Sequence, residues 1–106
     1  MEIVNRLAPE ACTNLEDVRS EIDYLDRAVI AILGKRFKYV LAAARFKTSE
    51  TSVRAPERQI AMLARRREWA EAEGISPDAI EKMYTDLVQH FIEEEMKRWK
   101  SQQAQA

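Results

Sequence analysis

The stretch VRSEIDYLDRAVIAILGKRF, residues 18–37, decides the fold of this chain. Its large apolar side chains recur at alternating steps of three and four residues, which places them on one face of an α-helix. The pattern continues beyond this stretch after one step of seven. We name its members the apolar seam: Val18, Ile22, Leu25, Val29, Ile32, Tyr39 and Ala43. The sequence therefore predicts one long helix with a narrow apolar face.

Capping residues and prolines mark where the predicted helices begin and end. Thr13 and Glu16 have the spacing of a capping box at the start of the first helix. The polar residues 48–52 predict a loop. Pro56 then begins a second helix, because proline is favoured in a first turn, and Gly74 ends that helix. The chain is therefore predicted to be an all-α protein, a single domain of residues 1–106 with helices over about 14–47, 56–73 and 77–101.

Composition narrows the range of functions. The 106 residues are 46% hydrophobic and 33% charged with a formal net charge of −1, so no strong field attracts nucleic acid or an anionic membrane. The basic run 65–67 has glutamates around it, which favours a solvated surface. Cys12 is the only cysteine, which excludes a disulfide within the chain and a cysteine-based metal cluster. With neither a cofactor motif nor a secretory signal pattern, we expect a cytoplasmic protein without metal, cofactor, nucleic acid or membrane partner.

The length of the first helix has a consequence for the oligomeric state. Residues 14–47 would span roughly 50 Å at a rise of about 1.5 Å per residue. A compact chain of this size has a radius of gyration of only about 13 Å. The two shorter helices cannot cover so long a seam, whereas a second copy of the chain can, so we expect an intertwined homodimer. The alternative is a break near Gly34, which would let the first helix fold back as a hairpin in a monomer.

Three charged residues fall on apolar helix faces. Arg36 occupies a position of the apolar seam, and Lys47, which is 11 residues later, shares its face. Glu95 lies on the apolar face of the last helix, four residues after Phe91. A charged side chain on a buried apolar face destabilises the fold unless an opposite charge or a hydrogen-bonding group lies close to it. Either Glu95 pairs with Arg36 or Lys47, or an anionic ligand completes the site around the two cations.

Arg19 indicates how two chains could share such a site. It precedes Arg36 by 17 residues, which is about 25 Å along one helix. One chain cannot easily aim both guanidinium groups at one small ligand. A partner chain packed antiparallel would bring its Arg19 to the Arg36 of the first chain, so the spacing predicts a site shared between two chains.

The order of short motifs along the chain resembles the chorismate mutase type II family. The resemblance extends from about residue 15 to residue 99, and its motifs are VRSEID (18–23), LD (25–26), GKR (34–36), FK (46–47) and PER (56–58). It implies an intertwined dimer with two equivalent sites for a small dicarboxylate such as chorismate or isochorismate. Each site would combine residues of both chains. One chain would supply Arg19, and the other chain would supply Arg36, Lys47, Arg58 and Glu95. Guanidinium groups suit such a ligand, because each can bind a carboxylate through two parallel hydrogen bonds.

Two branches of this family differ at the start of the second helix. Mutases usually carry Asp before the proline-like position and Glu after the Arg, whereas this chain has Ala55 and Gln59. The motifs ARFK (44–47), APER (55–58) and MKRW (96–99) are more similar to the isochorismate pyruvate lyases of salicylate-based siderophore synthesis. The resemblance therefore implies a cofactor-free pericyclic elimination that converts isochorismate to salicylate and pyruvate. Lys47 and Glu95 would contact the ether oxygen of the substrate.

The sequence is also compatible with two other functions. One is a chorismate mutase that makes prephenate, as the main or a weak secondary activity. The other is a helical dimerisation module without enzymatic activity, whose seam charges form ion pairs. Both would be consistent with the same apolar seam.

Glu95 departs from the lyase pattern, which has Gln at this position. A carboxylate cannot donate a hydrogen bond unless it is protonated. Burial near a dianionic ligand raises the pKa of a carboxyl group, so Glu95 is predicted to act as a neutral acid. The adjoining residues 48–54 are predicted to form a lid over Lys47.

Overall fold

The computed structural model describes residues 5–105, and within that range all regular structure is helical. The predicted all-α class is confirmed. The helices are α1 (Leu15–Ala43), α2 (Glu50–Arg54), α3 (Pro56–Ala72) and α4 (Pro77–Gln105), with short 3-10 turns at Pro9–Ala11 and Ala44–Phe46. None of the helices in the described part of the chain has the length and apolar character needed to cross a membrane.

The start of α1 is capped one residue later than predicted. The Asp17 N–H donates to Asn14 Oδ1 at 2.8 Å, so Asn14 is the N-cap. Thr13 donates instead: its N–H and its hydroxyl each lie 3.1 Å from Asp17 Oδ2. The assignment of the cap to Thr13 and Glu16 was wrong, because the pair Asn14 and Asp17 has the same spacing and makes the bonds.

The far end of α1 is shorter than predicted. α1 continues without a break through Gly34 and ends at Ala43, and the 3-10 turn that follows leads to Lys47. Lys47 has extended backbone, with φ −89° and ψ 143°. The predicted end at residue 47 was therefore wrong by about one turn. The 3-10 turn tightens the chain before it leaves the helix, as often occurs at helix ends.

Residues 50–52 of the predicted loop belong to the short helix α2, which continues to Arg54. Ser49 is its N-cap: the Ser49 hydroxyl accepts the Ser52 N–H at 3.1 Å, and Ser52 Oγ accepts the Ser49 N–H at 3.0 Å. The loop prediction was wrong because these two serines form a reciprocal capping box. Ala55 ends α2 in the left-handed region, with φ 42° and ψ 60°. The proline ring disfavours a right-handed helical conformation in the residue before it.

The chain divides into two compact units, one up to Phe37 and one from Lys38 onwards. In the first unit, the buried carboxylate of Glu21 accepts the N–H groups of Arg6 at 2.9 Å and Leu7 at 3.1 Å. The hydrogen bond from Leu7 is the largest cause that lowers the pKa of Glu21 below its ordinary value. This carboxylate therefore holds residues 6–7 against α1.

The second unit is built on the packing of α3 and α4. Its buried apolar side chains are Ala44, Val53, Met62, Ala70, Val88, Phe91 and Met96. Gly74 ends α3 as predicted, with φ 75°. The Gly74 N–H donates to Glu71 at 3.1 Å and the Ile75 N–H to Ala70 at 3.0 Å, which is the bonding pattern of a Schellman motif.

Two arginines of the basic run link α3 to α4. Arg67 Nη1 lies 2.8 Å from Asp78 Oδ1. The Arg66 guanidinium carbon lies 4.7 Å from the ring centre of Trp69 and 5.6 Å from that of Tyr84. Both arginines are half-buried. The prediction that residues 65–67 form a solvated surface was therefore wrong for Arg66 and Arg67. Arg67 pairs with Asp78 of α4, and Arg66 contacts the aromatic rings of α3 and α4.

Candidate active site

The ion pair between Lys47 and Glu95 is the centre of the candidate site. Lys47 Nζ lies 3.4 Å from Glu95 Oε2. Glu95 is only 5% exposed, whereas the side chain of Lys47 is 23% exposed. Of the partners left open by the sequence, the structure therefore places Lys47 beside Glu95. The pair has a buried acidic end and a basic end that retains contact with solvent.

The register of α4 explains why Glu95 is buried. Val88, Phe91 and Glu95 are separated by steps of three and four residues and share one helix face. All three are buried, as is the adjacent Met96. An acidic residue on such a face loses the solvation of its charge, and a cation or a proton must compensate.

The backbone around Lys47 is held by neighbouring groups. The Lys47 N–H donates to the Ala44 carbonyl at 3.2 Å, and the Lys47 carbonyl accepts the Trp99 Nε1–H at 3.0 Å. Lys47 Nζ donates to the Ser52 carbonyl oxygen at 2.9 Å. Sequence reasoning missed Ser52 and Trp99 as neighbours of Lys47. The three-residue spacing of Ser49 and Ser52 is a signal for the capping box that begins α2, whereas no local signal indicates Trp99, which is 52 residues from Lys47 in the chain.

Burial and charge act in opposite directions on Glu95. Burial is the largest cause, and it raises the pKa of Glu95 above the ordinary value of a glutamate, while the charge of Lys47 lowers it in part. Within the described residues, the buried Oε2 has no hydrogen bond of good geometry. A proton is therefore bound more readily here than on a surface glutamate. The arrangement can present an ammonium group and a neutral carboxylic acid to one acceptor atom.

The other predicted site residues lie on α1 and α3. Arg58 is the third residue of α3 and is exposed. Arg19 is exposed and Arg36 is half-buried, and both are on α1. Their separation of 17 residues corresponds to about 25 Å along the helix. A single α1 therefore cannot bring both to one small ligand. No group of three or more His, Cys, Asp or Glu side chains in residues 5–105 could hold a metal ion.

Comparison with known proteins identifies the family. The profile of the chorismate mutase type II family matches residues 18–96, a range that includes α3 and most of α1 and α4. The chain belongs to the chorismate mutase type II family. The resemblance drawn from the sequence motifs is therefore confirmed, and Lys47 and Glu95 both lie within the matched range of this chorismate mutase type II domain.

Individual relatives differ in how much of their length the domain covers. The chain is 42% identical to the isochorismate pyruvate lyase of Pseudomonas aeruginosa over 87% of this chain and 91% of that protein. It is 44% identical to the T-protein of Haemophilus influenzae over 76% of this chain, which is 20% of that protein. For the T-protein of Enterobacter agglomerans the identity is 40% over 63% of this chain and 18% of that protein. The chain thus matches the lyase nearly end to end and the T-proteins over about a fifth of their length.

The substitution Glu95→Gln is expected to change how stability depends on pH. Because the pKa of Glu95 is raised in the folded protein, its stabilising contribution is fully present below the unfolded-state pKa of about 4.3. That contribution is lost as the pH rises through the higher folded pKa. The variant does not titrate at this position, so its stability relative to wild type should increase across this range. Urea unfolding from about pH 4 to about pH 7 measures the difference.

Glu93→Gln is the matched control, because Glu93 is exposed on the same helix. It removes a carboxyl group from the same helix and leaves the Lys47–Glu95 pair intact. A difference between wild type and Glu95→Gln that stays constant over the range would show that Glu95 has no raised pKa.

Proposed function

We propose that the protein is an isochorismate pyruvate lyase, which forms salicylate and pyruvate from isochorismate for salicylate or siderophore biosynthesis. The observation that carries this proposal is the near end-to-end match, at 42% identity, to the lyase of Pseudomonas aeruginosa. Ala55 and Gln59 support the lyase over a mutase, because neutral side chains replace the two acids that mutases usually carry there. The pair of half-buried Lys47 and buried Glu95 supplies groups suited to the reaction.

The proposed roles follow the charges of the substrate. Isochorismate has two carboxylates, and Arg19 of the partner chain and Arg36 bind them through paired hydrogen bonds. Arg58 adds a third guanidinium group to the same site. Lys47 and Glu95 contact the ether oxygen that joins the enolpyruvyl group to the ring. Five side chains thus divide into three guanidinium groups that bind the substrate and two groups that act at the breaking bond.

The reaction requires no base, nucleophile or cofactor in this proposal. A ring hydrogen moves to the enolpyruvyl side chain as the ether C–O bond breaks and the ring becomes aromatic. The protein holds the reactive conformer and stabilises the charge that develops on the departing oxygen. The ammonium group of Lys47 does this directly, and protonated Glu95 donates a hydrogen bond to the same oxygen.

The proposed active unit is a homodimer, because α1 presents an uncovered apolar face. Along the apolar seam, Ile22 is 49% exposed, Val29 and Ile32 are each 51% exposed, and Tyr39 is 79% exposed. A contiguous apolar stripe of this kind is unfavourable in water and is typical of an interface. A second copy packed along α1 would cover it and would also bring Arg19 of one chain towards Arg36 of the other.

Chorismate mutase activity is the second candidate, and the family match over residues 18–96 favours it. Chorismate has the same two carboxylates and the same ether linkage as isochorismate. We propose it as a weak secondary activity at the same site. The cytoplasmic location stays a prediction from the sequence.

The direct test is an assay of the purified protein with isochorismate, in which salicylate fluorescence is followed, and a parallel assay with chorismate for prephenate. Salicylate should form rapidly. Arg36→Ala should lower kcat/KM roughly a hundredfold, because a charge-assisted carboxylate contact is worth about 3 kcal/mol. Arg65→Ala is the control, since Arg65 is exposed and outside the proposed site.

The other two possible results of these assays would each support a different function. Prephenate without salicylate would make it a mutase despite Ala55 and Gln59. Neither product from a folded dimer would favour the dimerisation module without catalytic activity.

A mixing experiment tests the shared site. Arg19→Ala and Lys47→Ala homodimers should each be nearly inactive, because every site lacks one group. After subunit exchange, half of the dimers are mixed and each has one intact site, so the mixture should recover about a quarter of wild-type activity. Chain exchange is verified by mass spectrometry of tagged protomers. Mixed dimers without activity would show that Arg19 and Lys47 act within one chain.

The pH dependence of turnover tests the role of Glu95. Wild-type kcat should fall as the pH rises through the raised pKa of Glu95, since the donated proton is lost. Glu95→Gln donates at every pH and should give a flatter profile, whereas Glu93→Gln should keep the wild-type profile. The same fall in kcat for Glu95→Gln and wild type would assign the pH dependence to another group.

A further inference from the structure

Helix α4 contacts Lys47 at two points. Glu95 Oε2 lies 3.4 Å from the ammonium nitrogen of Lys47, and Trp99 Nε1 donates to the Lys47 carbonyl oxygen at 3.0 Å. Glu95 and Trp99 are four residues apart, so they lie on the same face of α4 one turn from each other. One turn of one helix thus holds both the side chain and the backbone of the same lysine.

We propose that Trp99 is a positioning residue for the reaction, whose indole N–H fixes the backbone of Lys47 and thereby places its ammonium group. The inference rests on the proposed role of Lys47 in the lyase reaction. It adds a residue that touches neither substrate nor reacting atoms.

The position of Lys47 in the chain explains why its backbone needs this support. Lys47 lies between the 3-10 turn and α2, where its backbone is extended. Its N–H is held by the Ala44 carbonyl at 3.2 Å, while its carbonyl is held from α4 by the indole. Without the indole, the peptide group after Lys47 loses its hydrogen bond to α4. A small rotation there is amplified along the flexible four-carbon side chain.

The contacts of the ammonium group show what such a rotation would disturb. Lys47 Nζ donates to the Ser52 carbonyl at 2.9 Å and faces Glu95. A displacement of about 1 Å can lower the rate about a hundredfold when a group acts at the breaking bond. A smaller shift, in which Ser52 still holds the amine, would lower the rate less.

The chain contains its own control for this experiment. Its second tryptophan, Trp69, is 52% exposed, and its ring contacts the Arg66 guanidinium. The same substitution at residue 69 removes an indole without touching Lys47. Trp69→Phe should therefore leave kcat and KM unchanged.

The test compares three proteins with wild type: Trp99→Phe, Trp69→Phe, and a protein with β-(3-benzothienyl)alanine at position 99. The benzothienyl group has the shape of indole but lacks its N–H. Because the benzothienyl group fills the same space as indole, this protein still tests the hydrogen bond if the Trp99→Phe variant does not fold. Both changes at position 99 should lower kcat about tenfold with KM within about twofold, because carboxylate binding by the arginines is unaffected. An unchanged kcat in the benzothienyl protein, or an equal loss in Trp69→Phe, would overturn the proposal.

A second readout does not depend on activity. Brief acetylation with acetic anhydride, quantified by mass spectrometry, reports how accessible the Lys47 amine is. Loss of the indole N–H should increase Lys47 labelling several-fold, with no change at the exposed Lys82. Unchanged Lys47 labelling would overturn the proposal whatever the effect on kcat. If wild-type protein forms no salicylate, the proposed function fails, and the labelling alone decides whether the indole holds Lys47.

Discussion

The burial of one carboxylate on α4 sets the arrangement of the second unit. Glu95 is 5% exposed among apolar side chains, so its charge requires a cation close by. Lys47 supplies it from a chain segment that has already left α1 and has extended backbone. α2 then follows directly, with Val53 only 1% exposed and the Ser52 carbonyl bonded to the same ammonium group. The end of α1, the docking of α2 and the register of α4 are therefore linked through one ion pair.

Stability alone does not explain this ion pair. A buried pair seldom stabilises a fold more than apolar residues of similar size, because desolvation offsets the Coulomb attraction. Burial also raises the pKa of Glu95, so ionisation of this residue opposes folding. A local arrangement that costs stability is typical of a functional site. An acid that keeps its proton more readily, beside a cation, is suited to a breaking C–O bond.

Local patterns predicted most of the helices but less of the site. The apolar seam depends on spacing within one helix, and Gly74 depends on the positive φ that glycine favours after a helix, so both could be predicted from the sequence. The partner of Glu95 could not, because spacing along separate helices does not determine which faces meet. α2 was missed because Ser49 and Ser52 favour turns unless they cap each other. The indole bond of Trp99 spans 52 residues, and no local pattern indicates it.

In the proposed dimer, the same helix serves stability and catalysis. α1 holds Arg19 and Arg36 about 25 Å apart, a distance that no rotamer of either side chain can close. A site that needs both must therefore combine two chains, and the apolar seam between them is what aligns the chains. Covering Ile22 and Val29, each about half exposed in the single chain, would thus also set the distance between the arginines and Lys47. Substitutions on the seam would then alter catalysis through geometry, without removing any group that touches the substrate.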